Sequence, residues 1–330
     1  MGREPVKVET WWLGESGDVG VQGKVKTLKY KKIDAFTSNG SAGNPAACIY
    51  LDESQSLTDS EMLSIAKRHK GFVSEVVFCK NAGGPAYELA YFSSECEVPF
   101  CGHGTIACMY EALKGQPDLK EATVRTRTKG DLIVYNRIAE QNAVYISAPE
   151  PEYLDSRVST YELLGANPDG FIDAGNRTLI VPVESLGDAV GMSPDEYALK
   201  EFTLANGIDI ILIYCMDTKS SARFAHTRVF AAKYGYLEDP ATGSASAAFG
   251  YYLLKRGLWD GGEITLEQGC GEIALEQSGG EIALEQGCGE IALEQSGGGI
   301  VYNAVSIYYA DGRVRFGGGA TLKIDGLYYL

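Results

Sequence analysis

The sequence predicts an α/β (α+β) protein of two similar halves. Three observations support this. Strand-like runs alternate with short helical patterns along most of the 330 residues, long enough for two domains. Cys101-Gly102-His103-Gly104-Thr105-Ile106-Ala107-Cys108 reads as a glycine turn entering a small-residue helix. It has an echo in Ala241-Thr242-Gly243-Ser244-Ala245-Ser246-Ala247-Ala248, and the same offset pairs Tyr110 with Tyr251 and Leu113 with Leu254. The echo has a second reading, in which two buried helices look alike because close packing demands Ala, Gly and Ser. Pro149 and Pro151 fall between the two motifs and mark a boundary. The expected organisation is a leader over 1–28, a first unit over 29–148 and a second over 149–330.

Composition narrows the function. A formal charge of −15 argues against nucleic acid or an anionic membrane as partner. No apolar run approaches the roughly 20 residues that span a bilayer, and the N-terminus has no secretion-signal pattern. Eight scattered cysteines without a Cys-x-x-Cys pair fit reduced thiols in a cytoplasm. Cys96, Cys101, His103 and Cys108 match no common zinc spacing, so no metal is expected.

Taken in order, Leu28–Phe36 reads as a strand, residues 37–45 as a tight loop rich in turn formers and Ala46–Leu51 as a second strand. Thr58-Asp59-Ser60-Glu61 is a capping-box signal for a helix that ends before Gly71. Phe72–Phe78 is a β-branched strand with Glu75 on the face of Val73 and Val77. A carboxyl on an apolar face has its charged form disfavoured, which suits a general acid/base; a solvated strand face is the commoner fate of such a glutamate. Ala86–Phe92 is a strand leading to the organising motif. Its helix runs to Lys114, with Gly115 as the stop. A helix that opens on glycines directs free N–H groups at an anion, with His103 at the mouth.

Antiparallel strands are expected at Thr123–Thr128, Leu132–Asn136 and Asn142–Ser147. The second half begins with a short helix near Ser159–Leu164. Strands follow at Arg177–Val181, Ile208–Cys215 and Thr227–Ala232, with a helix over Asp195–Phe202. Asp239, held extended by Pro240, comes close to the second helix mouth, although Asp-Pro is also a common turn opener. His69 and His226 have no evident partner.

Several motifs then occur in order: Asp34-Ala35-Phe36-Thr37, Gly43-Asn44-Pro45-Ala46-Ala47, Ser74-Glu75, Cys101-Gly102-His103 and Glu238-Asp239-Pro240-Ala241-Thr242-Gly243-Ser244-Ala245. The set resembles the phenazine biosynthesis-like (PhzF) isomerase family, related in fold to diaminopimelate epimerase and proline racemase. The resemblance covers about residues 28–262 and resumes near 300. It implies two units, each a curled, mostly antiparallel sheet or barrel around a central helix, with the site between them. It also implies a cofactor-independent isomerase that moves a proton on carbon of a small carboxylate substrate. Glu75 is then the acid/base, with His103 and Asp239 as its catalytic partners. Asn44, Gly102, Gly104, Thr242, Gly243 and Ser244 would hold the substrate. The second mouth has no cysteine, which disfavours a two-thiol racemase. A dehydratase or epimerase using Cys101 stays open, as do a small buried role for Cys101 and a non-catalytic small-molecule binding protein. Self-association as a homodimer is a further expectation.

Residues 262–297 repeat a nine-residue unit four times, Gly-Glu-Ile-Thr/Ala-Leu-Glu-Gln followed by Gly-Cys or Ser-Gly. Similar proteins have one Glu-Gln-Gly here, followed by Arg-Pro-Ser, which this chain lacks. The alternation predicts short antiparallel strands with glycines at the turns; glutamates facing across strands would fray them. A duplication without function is the default reading, with no disulfide between Cys270 and Cys288.

Overall fold

A computed structural model describes residues 25–37, 41–273 and 300–330. The leader's tryptophans and the later repeats lie outside the described residues. Up to the midpoint the elements are β1 Thr27–Ala35, β2 Asn44–Leu51, α1 Asp59–Arg68, β3 Glu75–Gly83, β4 Ala86–Ser93, β5 Glu97–Val98 and α2 Gly102–Leu113. Then come β6 Glu121–Thr126, β7 Gly130–Arg137, α3 Ile138–Gln141, β8 Ala143–Ser147 and β9 Glu152–Tyr153. The second part holds α4 Tyr161–Leu164, β10 Gly170–Asp173, β11 Arg177–Pro182, α5 Leu186–Gly191, α6 Glu196–Asn206, β12 Ile210–Cys215 and β13 His226–Phe230. It ends with β14 Glu238–Asp239, α7 Gly243–Arg256, β15 Ile264–Ile273, β16 Ile300–Ala310, β17 Arg313–Gly318 and β18 Ala320–Tyr329.

This is an α+β fold with a mixed sheet, and its pairings follow a repeated order. In the first run β1 is antiparallel to β2, β2 parallel to β3 and β3 antiparallel to β4. Next β4 is antiparallel to β5 and parallel to β6, and β6, β7 and β8 are antiparallel. From β10 to β17 the same succession recurs. The flanking strands are exchanged: β9 pairs with β10, β18 pairs with β1, and β8 joins β17. The last strand, placed by sequence in the second unit, therefore hydrogen-bonds to the first strand of the first. Parallel neighbours require long crossovers: α1 lies between β2 and β3, α5 and α6 between β11 and β12, α2 between β4 and β6 and α7 between β13 and β15.

Two helices lie inside the sheet. Ten of the twelve residues of α2 and eleven of the fourteen of α7 are buried, so their small residues serve close packing on every side. One core cluster surrounds both helices. A second lies under α1, and a third under α5 and α6.

Local chemistry explains most boundaries. The α1 capping box is complete: Thr58 accepts from the Glu61 amide, and Glu61 accepts from the Thr58 amide at 2.8 Å. Asp195 caps α6, which runs on to a left-handed Gly207, past the expected Phe202. Gly257 ends α7 at φ 67°, whereas α2 ends at Lys114 without Gly115 taking a positive φ. β3 begins only at Glu75, and Asn142 is a left-handed cap before β8, not part of it. The helix expected from Ser159 is confined to Tyr161–Leu164.

The two unplaced histidines are both buried. His69 stacks between Tyr30 and Tyr328 and bonds the Ile65 carbonyl at 2.8 Å; His226 pairs with Glu267 at 3.2 Å. Cys270 is disulfide-bonded, against the expectation of reduced thiols, while six other cysteines are free. The first repeat copy forms most of β15, antiparallel to β16; the expectation of a duplication without function concerns the later copies, which lie outside the described residues.

Candidate active site

The first turns of α2 and α7 meet. A Cβ on Gly102 would lie 3.0 Å from the Ser244 amide nitrogen, so glycine lets the two turns approach without displacing either backbone. The Phe316 ring lies beneath both mouths: a Cβ on Gly243 would come within 2.3 Å of it and one on Gly102 within 3.1 Å. Buried Phe36, at φ 60°, closes the floor beside Gly243. Two helix N-termini thus direct their unpaired N–H groups into one region, an arrangement suited to a carboxylate.

At the α2 mouth, Cys101 is extended and caps the helix, its Sγ accepting from the Gly104 amide at 3.3 Å. Gly104 is required here, since a Cβ would lie 2.6 Å from Val77 Cγ2 and 2.9 Å from that sulfur. Glu75 opens β3 between Ala46 of β2 and Ser93 of β4, which directs it to the same place. Its Oε2 lies 3.2 Å from His103 Nε2 and 3.8 Å from Cys101 Sγ. Its Oε1 accepts from the Tyr236 hydroxyl at 2.8 Å. The Cys101 sulfur is also 3.5 Å from His103 Nδ1. Glu75, His103 and Asp239 are each 3% exposed and Cys101 5%, so the cluster is shielded from water.

At the α7 mouth, Asp239 accepts from Asn44 Nδ2 at 2.6 Å and from the Thr242 hydroxyl at 2.5 Å. Asn44 also donates to the Ala241 carbonyl at 2.7 Å, which ties β2 to this mouth. Gln268 holds the turn: it accepts from the Thr242 amide at 2.9 Å and donates to the Asp239 carbonyl and the Thr242 hydroxyl, both at 2.9 Å. The Ser244 hydroxyl accepts from Asn176 at 3.0 Å.

Burial sets the acid–base character. It pushes the Cys101 thiol up to about 11, with His103 pulling the other way and Glu75 adding to the rise. Burial disfavours the His103 imidazolium, yet Cys101 and Glu75 together hold its pKa well above the usual value. Asp239 is raised to about 6, first by burial; His103 and the hydrogen bonds of Thr242 and Asn44 oppose the rise, and Glu75 adds to it. Burial, then Glu75 and Asp239, hold Tyr236 well above its ordinary value.

Residues from both parts of the chain therefore converge as the sequence suggested: Glu75, His103, Gly102, Gly104 and Asn44 from one, and Asp239, Thr242, Gly243 and Ser244 from the other. Of the four residues weighed for zinc, only Cys101 and His103 meet. Cys96 is exposed, and Cys108 lies within buried α2. Tyr236, Gln268 and Asn176 were missed. Gln268 carried a signal, as the Gln of the first Glu-Gln-Gly.

The family model for phenazine biosynthesis-like protein (PhzC-PhzF) matches residues 33–285. The chain belongs to the phenazine biosynthesis-like family. The uncharacterized isomerase YfhB of Bacillus subtilis is 27% identical over 259 residues, covering 74% of this chain and 87% of that protein. The solved phenazine biosynthesis protein of Bacillus anthracis, PhzF family, superposes with a TM-score of 0.67 at 25% identity, covering 92% of this chain and 99% of that one. The PhzF-family protein of Enterococcus faecalis gives 0.65 at 23% identity, covering 92% and 100%, and shows the shared fold. No helix among the described residues is long and apolar enough to cross a membrane.

Proposed function

We propose that the protein is a cofactor-independent isomerase that shifts a proton on carbon of a small carboxylate, held between units 29–148 and 149–330. The observation that carries this reading is the buried Glu75 carboxylate, 3.2 Å from His103 at the mouth of α2, where the mouth of α7 abuts it. Carbon acids need a base, a means of returning the proton and stabilisation of the charge that develops. Glu75 takes and returns the proton, and Tyr236 fixes its other oxygen. His103 supplies positive charge beside it, and Asp239 is poised to hold or release a proton near pH 6. The N–H groups of Gly102, Gly243 and Ser244, with the Ser244 hydroxyl, receive the substrate carboxylate, while the Gly104 amide and the Thr242 hydroxyl hold Cys101 and Asp239 in place. The relatives described as isomerases support this chemistry.

The Cys101 sulfur, within 3.8 Å of Glu75 and 3.5 Å of His103, favours a second reading. A thiol pushed up to about 11 stays protonated near neutrality and suits proton delivery on the same side as Glu75, as in a one-sided dehydration. Deuterium uptake from D₂O by a panel of amino, hydroxy and cyclic-diene carboxylic acids, followed by NMR, tests both. Loss in Glu75→Gln with retention in Cys101→Ser supports the first reading; loss in Cys101→Ser supports the second.

A further inference from the structure

Glu75, Cys101 and His103 are also a three-donor set, with one ligand atom from each within 4.8 Å of the others and all three buried. We infer that this set captures a thiophilic divalent cation, Zn²⁺ above all, and that the captured ion blocks the acid/base. The second half of that statement rests on the function proposed above; the first does not.

The argument is geometric and chemical. A tetrahedral zinc with bonds of about 2.3 Å to sulfur and about 2.0–2.1 Å to nitrogen and oxygen sets its ligand atoms about 3.3–3.6 Å apart. Here His103 Nε2 and Glu75 Oε2 are 3.2 Å apart, and Cys101 Sγ is 3.8 Å from each. The sulfur is about as near to Nδ1, at 3.5 Å, so metal capture requires the imidazole to turn about its Cβ–Cγ bond until the Nε2 lone pair faces the ion. A thiolate, a carboxylate and a neutral imidazole balance a divalent charge, which a buried site requires. The supporting contacts are those a metal site uses. The Tyr236 hydroxyl fixes the free carboxylate oxygen at 2.8 Å, and the Gly104 amide donates to the sulfur at 3.3 Å. Burial keeps the free thiol protonated; it is the bound cation, helped by the Gly104 amide, that stabilises the thiolate. Sulfur and nitrogen donors select against Mg²⁺ and Ca²⁺. Three protein ligands leave the fourth position to water. On binding, the metal–sulfur and metal–nitrogen bonds form, the Cys101 S–H and the His103 imidazolium N–H bonds break and both protons pass to solvent; no oxidation is involved. The ion then occupies the oxygen with which Glu75 would accept a substrate proton.

Cobalt(II) makes the test independent of activity. The full-length, reduced protein is titrated with CoCl₂. One equivalent is expected to produce tetrahedral d–d absorption and a thiolate-to-cobalt charge-transfer band, both removed by equimolar ZnCl₂ and untouched by MgCl₂. Cys96→Ser retains the band, because Cys96 lies outside the set. Cys101→Ser loses it, and Glu75→Gln weakens cobalt binding at least about tenfold. No band in the wild type, or a band unchanged in Cys101→Ser, overturns the site. Deuterium uptake is then measured with ZnCl₂. Arrest in the wild type, with at least about tenfold more zinc needed in Cys101→Ser, supports the blocking role. A cobalt band without any zinc effect on uptake overturns that role alone, whereas uptake independent of Glu75 overturns the isomerase reading and leaves the metal site standing.

Discussion

Asp239 makes stability depend on pH in a calculable way. Its carboxyl is 3% exposed and raised from 3.8 to about 6, with burial the largest cause. Ionisation therefore works against folding. The contribution of this group is fully present below pH 3.8 and is lost as pH rises through about 6. At 1.36 kcal/mol per pH unit across that window, the loss is about 3 kcal/mol. An asparagine cannot titrate, so Asp239→Asn removes the dependence. Urea unfolding of both proteins from about pH 4 to pH 8 provides the comparison. The stability of the wild type relative to Asp239→Asn should fall by about 2–3 kcal/mol as pH rises from 4 through about 6, and level off above about pH 7. Parallel stability curves, or a relative stability that rises with pH, would refute the claim that Asp239 is buried at a cost to its charged form.

Two further substitutions follow from the same contacts. Tyr236→Phe deletes the hydroxyl 2.8 Å from Glu75, a hydrogen bond to a charged group worth about 1.5–3 kcal/mol. Turnover should fall about 10–100-fold with an unchanged circular dichroism spectrum, and wild-type turnover would remove Tyr236 from the site. Gln268→Ala breaks three bonds of 2.9 Å to Thr242 and Asp239 and should cost about 2–4 kcal/mol in chemical denaturation. Wild-type stability would show that the first repeat copy does not hold the α7 mouth.

The parts of this architecture that were legible in the sequence were local. The capping box at Thr58–Glu61, the glycine turns at Gly102 and Gly243 and the fully buried run of β12 each follow from neighbouring residues. Glu75 was legible through the ordered set of motifs; its face was read only in part, since Val77 shares its core but Val73, ahead of β3, packs into the cluster under α1. Contacts distant in sequence were not. Tyr236 reaches Glu75 across 161 positions, and the exchange of β9 and β18 leaves no periodic trace. The short β9 and β10, the single turn α3 and the six-residue α5 are set by their surroundings more than by pattern. One signal was present and missed. Ala42-Gly43-Asn44 recurs as Ala174-Gly175-Asn176, at the start of β2 and just before β11, but at a different offset from the helix echo. Unequal connections before α2 and α7 hide it from a fixed-offset comparison. In the repeat, Glu267 and Gln268 of the first copy have folded partners in His226, Thr242 and Asp239.

Proton exchange in D₂O tests the central claim most directly. The wild type is incubated with the carboxylic acid panel beside Glu75→Gln, and carbon-bound hydrogen is followed by NMR. The account predicts deuterium uptake into at least one compound and a fall of about 10²–10⁴-fold in the variant, the usual contribution of a positioned acid/base. Uptake at the wild-type rate in Glu75→Gln would contradict it.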